Sequence, residues 1–509
     1  MMIIAFLLLC CCFVDTSPDK AATKSSIQKY QKYFDLQSDF WHHIAKLKRN
    51  KTSKLSPDVV KDYFDQRIDH FGKVNRTFKQ KYYYNKRWYK PGGPVFIMLG
   101  SELPEHGFKL EEDSFEMSIL AKKAGAWMFN TEHRYYGESR PTPDLSIENL
   151  KYLSTRQAIE DFAYFIQEMR KKFPELAEAK WVAFGASYSG TLAAWLRIRH
   201  PEAVFASIAS SAPVVAKFHF SEFYKTAFDA VKETNETCWS SVMKSFEDVT
   251  KLIHMKDGRK QIKDTFGLCQ DLDPNNEKHV MKFWERMYIP FLYIIHLKRA
   301  IISEICNLYN DMSLSSLDKI QAIREIYSNN YKHNYQDAAS KCVNTDYDKT
   351  IRYYQNISYG DVTVDRAWLW MSCNELGYFQ PIDAKSIGSK WEVGKISLEY
   401  FVDLCYDIFH NPKFTIDWIK KQVEATNVYY GGMEMRGASH IILPSGSLDS
   451  WRTIGKLSSD NPAIVPVVIE GESHASDMYA PVSEDSDALK KARKKSETTL
   501  FKWLGITIE

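Results

Sequence analysis

Trp181-Val182-Ala183-Phe184-Gly185-Ala186-Ser187-Tyr188-Ser189-Gly190-Thr191-Leu192-Ala193-Ala194-Trp195-Leu196 reads as a strand, a sharp turn and a helix, with a serine at the apex. Small residues around Ser187 let the backbone turn tightly enough to expose a hydroxyl at a helix N-terminus, the local geometry of a nucleophile elbow. Ser189 stands where the pattern G-x-S-x-G has its second glycine, so the stretch alone also fits a strand-to-helix turn without chemistry. Ser187 is the candidate nucleophile.

Outward from the elbow, the pattern is an alternation of strand and helix. Val95-Phe96-Ile97-Met98-Leu99, between Gly92-Gly93 and Gly100, and Ala126-Trp127-Met128-Phe129-Asn130 are continuous apolar runs. Such runs suit strands buried on both faces of a mostly parallel sheet. Ile159, Phe162, Ala163, Ile166 and Met169 recur at helical spacing and predict a crossover helix with one apolar face. Phe205-Ala206-Ser207-Ile208-Ala209 reads as a further strand, and the alternation implies an α/β sheet.

From about 216 to 425 the texture changes to long helical patterns rich in Lys, Phe and Tyr, including 220–231 and 281–297. The expectation is a mainly helical insertion whose aromatic stripes are core. It divides an α/β unit into a first part, 56–215, and a second, 426–509. Strand-like segments return at His440-Ile441-Ile442-Leu443 and Ile464-Val465-Pro466-Val467-Val468-Ile469, and a basic amphipathic helix from about Asp487 to Leu504 closes the chain.

A serine hydroxyl is a poor nucleophile at neutral pH and needs a base oriented by a carboxylate. On such a sheet the acid and the histidine follow the serine in that order. The two returning strands lead into Pro444-Ser445-Gly446-Ser447-Leu448-Asp449 and Glu470-Gly471-Glu472-Ser473-His474, so Asp449 and His474 fall where the active edge should be. One histidine among fourteen says little, and an aspartate in a turn often only caps it. Order and placement behind Ser187 carry the assignment. For the developing oxyanion, the N–H of Tyr188 is the first expected donor, and the turn at Gly100 and Ser101 supplies the second.

The 509 residues carry 67 Lys plus Arg against 64 Asp plus Glu, a formal charge of +3. No field of that size argues for nucleic acid or anionic membrane as a partner. A short apolar block from Ile3 to Val14 predicts a signal peptide over 1–16. The polar segment 17–55, with Lys46-Leu47-Lys48-Arg49, reads as a linker, a trimmed propeptide or a surface helix. No later segment has eighteen consecutive apolar residues, so no membrane span is expected in the mature chain, and a homodimer is left open.

Cys10, Cys11 and Cys12 fall inside the leader. Cys238, Cys269, Cys306, Cys342, Cys373 and Cys405 remain, an even set that allows three disulfides in the insertion with connectivity open. None forms a CxxC pair and no histidines cluster at ligand spacing, so neither a metal nor another cofactor is expected. Sequons at Asn50, Asn75, Asn235 and Asn356 agree with export, either secreted or lysosomal.

At this point the chain resembles the S28 serine peptidases, the family of lysosomal Pro-X carboxypeptidase, dipeptidyl peptidase II and thymus-specific serine protease. The likeness rests on Tyr63-Phe64-Asp65-Gln66-Arg67-Ile68-Asp69-His70-Phe71, Glu132-His133-Arg134-Tyr135-Tyr136-Gly137-Glu138-Ser139 and Asn149-Leu150-Lys151-Tyr152-Leu153, with the elbow and the segments around Asp449 and His474. Arg366-Ala367-Trp368 with Cys373-Asn374-Glu375-Leu376-Gly377-Tyr378-Phe379-Gln380 is most similar to the thymus-specific branch.

The resemblance implies an α/β-hydrolase fold with a large helical cap, a Ser187-Asp449-His474 triad, a peptide substrate, cleavage after proline and an acidic working pH. The chain departs from the family at Ser189, usually glycine, at Ser445-Gly446, usually Asn-Gly, and at Asp449-Ser450-Trp451, usually Asp-Pro-Trp. It carries Gly100-Ser101-Glu102 where better-known members have Gly-Asn-Glu or Gly-Gly-Glu. Glu102 reads as a partner for a substrate's free amino terminus or as an ordinary solvated carboxylate. An esterase or lipase on the same fold, and a secreted binding protein without catalysis, stay open at this level.

Overall fold

The apolar runs of the sequence become the middle of one sheet. A computed structural model describes residues 55–295, 299–330 and 342–507. The predicted leader over 1–16, the polar segment short of Leu55 and the sequon at Asn50 lie outside them. In chain order the strands are β1 Val60–Arg67, β2 Thr77–Asn85, β3 Val95–Met98, β4 Trp127–Thr131, β5 Trp181–Ala186, β6 Ala206–Ser210, β7 Lys217–His219, β8 Gly377–Phe379, β9 Ile441–Gly446 and β10 Ile464–Ile469. Eight form a sheet in the order β1-β2-β4-β3-β5-β6-β9-β10, and β7 pairs with β8 apart from it.

β1 pairs antiparallel with β2, and β2 antiparallel with β4; every other neighbour in the large sheet is parallel. The residues of β3, β4 and β6 are all buried, which is why they read as unbroken apolar runs. Alternate residues serve opposite faces. Val95 and Ile97 join one core cluster, Phe96 and Met98 the other.

Helices cover both faces. On one, α1 Glu116–Ala124 packs with the C-terminal helix; on the other lie α2 Thr155–Lys172 and α3 Tyr188–Arg199. α2 starts where the Oγ of Ser154 accepts the N–H of Gln157, and it buries Ile159, Phe162, Ile166 and Met169 as its spacing predicts. The parallel sheet with strand, elbow and helix at β5 and α3 is the α/β-hydrolase arrangement.

Between β6 and β9 the chain is mainly helical: α4 Glu222–Thr234, α5 Glu236–Ile253, α6 Lys256–Phe266, α7 Glu277–Ile295, α8 Arg299–Asn310, α9 Ser316–Asn330, α10 Tyr347–Tyr354, α11 Thr363–Met371, α12 Leu398–Phe409 and α13 Ile416–Tyr430. Three disulfides staple it, Cys238 to Cys306, Cys269 to Cys342 and Cys373 to Cys405. The chain closes with α14 Asp487–Leu504. No helix among the described residues is long and apolar enough to cross a membrane.

Candidate active site

β5 ends at Ala186, and Ser187 turns the chain with φ 57° and ψ −128° before α3 begins at Tyr188. That positive φ strains an L-residue and aims its side chain out of the sheet edge. The flanking glycines are required by space. A Cβ on Gly185 would sit 2.1 Å from the carbonyl oxygen of Ser189, and one on Gly190 would sit 2.7 Å from that of Ser210. The first turn of α3 presents N–H groups without intrahelical acceptors, Tyr188 foremost.

The oxyanion candidates of the turn after β3 follow a strand that pairs with β5. β3 and β5 are parallel with Met98 opposite Phe184, and Leu99 N donates to Phe184 O at 2.9 Å. Gly100 and Ser101 follow directly after that bond, where the chain leaves β3. A Cβ on Gly100 would lie 2.4 Å from the backbone nitrogen of His133, so only glycine fits where this turn crosses the end of β4.

Asp449 and His474 leave β9 and β10, which pair with Gly446 opposite Ile469. The loops touch at once: Leu448 N donates to Glu472 O at 3.0 Å, and a Cβ on Gly446 would meet the carbonyl oxygens of Glu472 and Ser473 at 2.3 Å. This approach brings His474 Nδ1 within 2.9 Å of Asp449 Oδ2. Asp449 is fully buried, and its other oxygen, Oδ1, accepts the N–H of Trp451 at 2.9 Å. A carboxylate only accepts, so Nδ1 carries the ring proton and Nε2 keeps its lone pair.

Burial opposes charge on the His474 ring, but the charge and hydrogen bond of Asp449, with Glu102 and Asp477 further off, outweigh it and raise its pKa above the usual 6.5. The ring therefore stays protonated to a higher pH than a free histidine. Glu102 is the reverse case: burial raises its carboxyl, and the charge of His474 pulls it back down. Its Oε2 is buried without a hydrogen-bond partner among the described residues. The residue as a whole is half-buried, with this one oxygen withdrawn from solvent.

An aromatic wall adjoins the elbow and Asp449. Tyr188 meets Trp368 at 5.4 Å between ring centroids, and Trp451 meets Tyr378 at 5.1 Å and Phe223 at 5.2 Å. The hydroxyls of Tyr136 and Tyr188 both lie 3.8 Å from Met371 Sδ. These side chains come from several separate elements, so no spacing in the sequence announces them.

The motif Glu132-His133-Arg134 builds a buried frame beneath. Arg134 makes a bidentate pair with Asp161 of α2, and Lys81 of β2 lies 2.6 Å from Glu132. Outside the site, His279, Asp346 and Asp348 bring possible ligand atoms within 4.8 Å of one another at the ends of α7 and α10. Of the sequons, Asn75, Asn235 and Asn356 are exposed.

Comparison with known proteins identifies the family of the chain. The family described as Serine carboxypeptidase S28 matches residues 66–496. The Caenorhabditis elegans protein named "Putative serine protease K12H4.7" is 39% identical over 88% of this chain and 88% of its own. Lysosomal Pro-X carboxypeptidase of Mus musculus is 26% identical over 87% of this chain and 88% of its own. Thymus-specific serine protease of Mus musculus is also 26% identical, over 87% of each chain, so identity alone does not separate these two branches. The chain belongs to the S28 family of serine peptidases.

Proposed function

We propose that this serine peptidase is an exopeptidase of the secretory pathway that cleaves after proline, with Ser187 as nucleophile, His474 as general base and Asp449 as the carboxylate that orients it. The contact that carries this reading is the 2.9 Å pair of His474 Nδ1 and Asp449 Oδ2, formed at strand ends of the same sheet edge as the Ser187 elbow. Ser187 Oγ attacks the scissile carbonyl while Nε2 of His474 takes its proton. The N–H of Tyr188 and the turn at Gly100 and Ser101 receive the oxyanion of the tetrahedral intermediate. His474 then returns the proton to the leaving amine, and water repeats the cycle on the acyl-enzyme.

Glu102 favours removal of N-terminal dipeptides over carboxypeptidase action. A half-buried carboxyl with one oxygen lacking a partner, within the field of the catalytic histidine, offers a charge-assisted bond to a substrate ammonium, and repels a substrate carboxylate. The aromatic wall around Trp451 suits a compact proline ring, which offers no N–H and is selected by shape. Three disulfides and three exposed sequons support passage through an oxidising, glycosylating compartment, secreted or lysosomal.

Cleavage profiling with a peptide library blocked at either end tests all parts together. Wild type should cut X-Pro peptides with a free N-terminus, and Ser187→Ala should lose activity by about ten-thousandfold or more together with fluorophosphonate labelling. Glu102→Gln should raise KM for free N-termini by about tenfold or more and leave N-blocked substrates unaffected. Cleavage of esters but not peptides, or full activity in Ser187→Ala, would sink the reading.

A further inference from the structure

The loop that carries His474 is held from behind by two charged side chains that the chemistry of a serine peptidase does not itself call for. Asp477, three residues after the histidine, is buried and accepts the hydroxyl of Ser210 at the end of β6. Arg493, in α14, donates through Nε to the carbonyl of Asp477 at 3.2 Å, and through Nη2 to those of Ser476 at 3.0 Å and Tyr479 at 3.1 Å. Between them Ala475 takes a left-handed φ of 58°, and its N–H donates to Ser211 Oγ at 2.8 Å.

Arg493 is only 6% exposed. Its remaining donor, Nη1, reaches Asp485, and Glu116 of α1 lies 3.8 Å from its Nε. Docking a terminal helix needs no buried guanidinium, since apolar packing does so without the desolvation cost. What a guanidinium adds is a rigid fork of donors that fixes several carbonyls at once. Those carbonyls belong to the turn immediately after His474.

We propose that Asp477 and Arg493 are positioning residues of the hydrolysis, a brace from β6 and α14 that fixes the turn after His474 and so keeps its imidazole in line between Asp449 and Ser187. This rests on the assignment of His474 as the base. The charged groups acting on the His474 ring are Asp449, Glu102 and Asp477; burial raises the Asp477 carboxyl, while the Ser210 hydroxyl bonded to it and the charges of Arg493 and His474 draw it back down, and Glu116 and Tyr479 feel its charge in turn. The Asp477 carboxylate adds to the field that favours the imidazolium, so the brace has an electrostatic signature that a plain strut lacks.

Turnover of p-nitrophenyl acetate against pH reads that signature independently of peptide specificity. Asp477→Asn keeps an oxygen for Ser210 and removes the charge, and its acid limb should move to lower pH than that of wild type. Arg493→Ala should lower kcat by about ten- to a hundredfold with KM changed less than about threefold, and Arg493→Lys should regain part of the loss. Melting curves separate these effects from failure to fold, and if Arg493→Ala does not fold, the near-isosteric Asp477→Asn decides alone. An acid limb unmoved in Asp477→Asn, or an unchanged kcat in folded Arg493→Ala, overturns the brace while leaving the triad intact. Activity retained in His474→Ala overturns the base assignment itself, and the brace with it.

Discussion

Ser189 occupies the place where the elbow pattern has glycine, and the side chain there does what a glycine cannot. Its Oγ accepts the N–H of Ala186 at 3.0 Å and donates to the carbonyl of Ala186 at 2.9 Å, closing the turn across Ser187. The backbone at 189 has no positive φ, so nothing in its conformation demands glycine. The strain at the elbow is concentrated in Ser187, and the hydroxyl next to it holds the strained turn together. Replacing Ser189 by alanine removes both bonds and adds no atom. Ser189→Ala should therefore cost about 1 to 2 kcal/mol of stability and lower kcat several-fold with little change in KM. Ser189→Gly, although it restores the usual family residue, should be no more active than Ser189→Ala. A glycine variant faster than wild type would show that the hydroxyl does not support the elbow.

At the scale of elements, the site is made where parallel strands end at neighbouring places on one edge. Gly446 is a tight point between the two loops, because the chain leaving β9 passes against the carbonyls of Glu472 and Ser473 just ahead of His474. Those are backbone atoms and cannot rotate away. Gly446→Ala should push the two loops apart, part the Asp449 and His474 pair and lower kcat by about a hundredfold, with the melting transition still cooperative. Wild-type kcat in that variant would mean that the loops yield without disturbing the pair. The sheet centre was legible because β3, β4 and β5 are buried on both faces and so read as apolar runs. β1 was not: an edge strand written Val60-Lys61-Asp62-Tyr63-Phe64-Asp65-Gln66-Arg67, with mostly exposed or half-buried residues, lacks that signal. The pairing of Asp449 with His474 was expected from chain order, whereas Ser210, Ser211 and Arg493 are ordinary residues until β6, β9 and α14 bring them to one loop. The disulfide pairing was open for the same reason, since six cysteines in a helical insertion have no partner until the helices pack.

For the molecule as a whole, the cap and the sheet layer meet through a buried carboxyl. Glu375, in the π-helical turn after α11, accepts the N–H of Thr155 at 2.7 Å and its hydroxyl at 2.8 Å at the start of α2, and Tyr430 of α13 donates to the same Thr155 hydroxyl at 3.1 Å. Burial outweighs these bonds and pushes Glu375 up to about 7, and Glu116, beneath the His474 loop, is likewise pushed up to about 7 by burial. An unfolded chain releases these protons near 4.5, so between there and neutrality the folded state binds more protons. Stability held at low pH by each group is thus lost as pH rises towards 7, on the order of 3 kcal/mol for Glu375. Carboxylates with lowered pKa, such as Asp161 against Arg134, act oppositely, because their stabilisation is lost only as pH falls through the acid range. The fold should therefore be firmest at mildly acidic pH, while with His474 as the proposed base its raised pKa moves the acid limb of hydrolysis to higher pH than a free histidine would. A protein passing from an acidic to a neutral compartment would gain activity as it loses stability. Glu375→Gln isolates the larger part of this effect: its melting temperature should fall less than that of wild type between pH 5 and pH 7.5, while Glu116→Gln flattens the remainder. An unaltered slope in Glu375→Gln would mean that Glu375 is ionised throughout that range, and that the junction of cap and sheet is held by a charge.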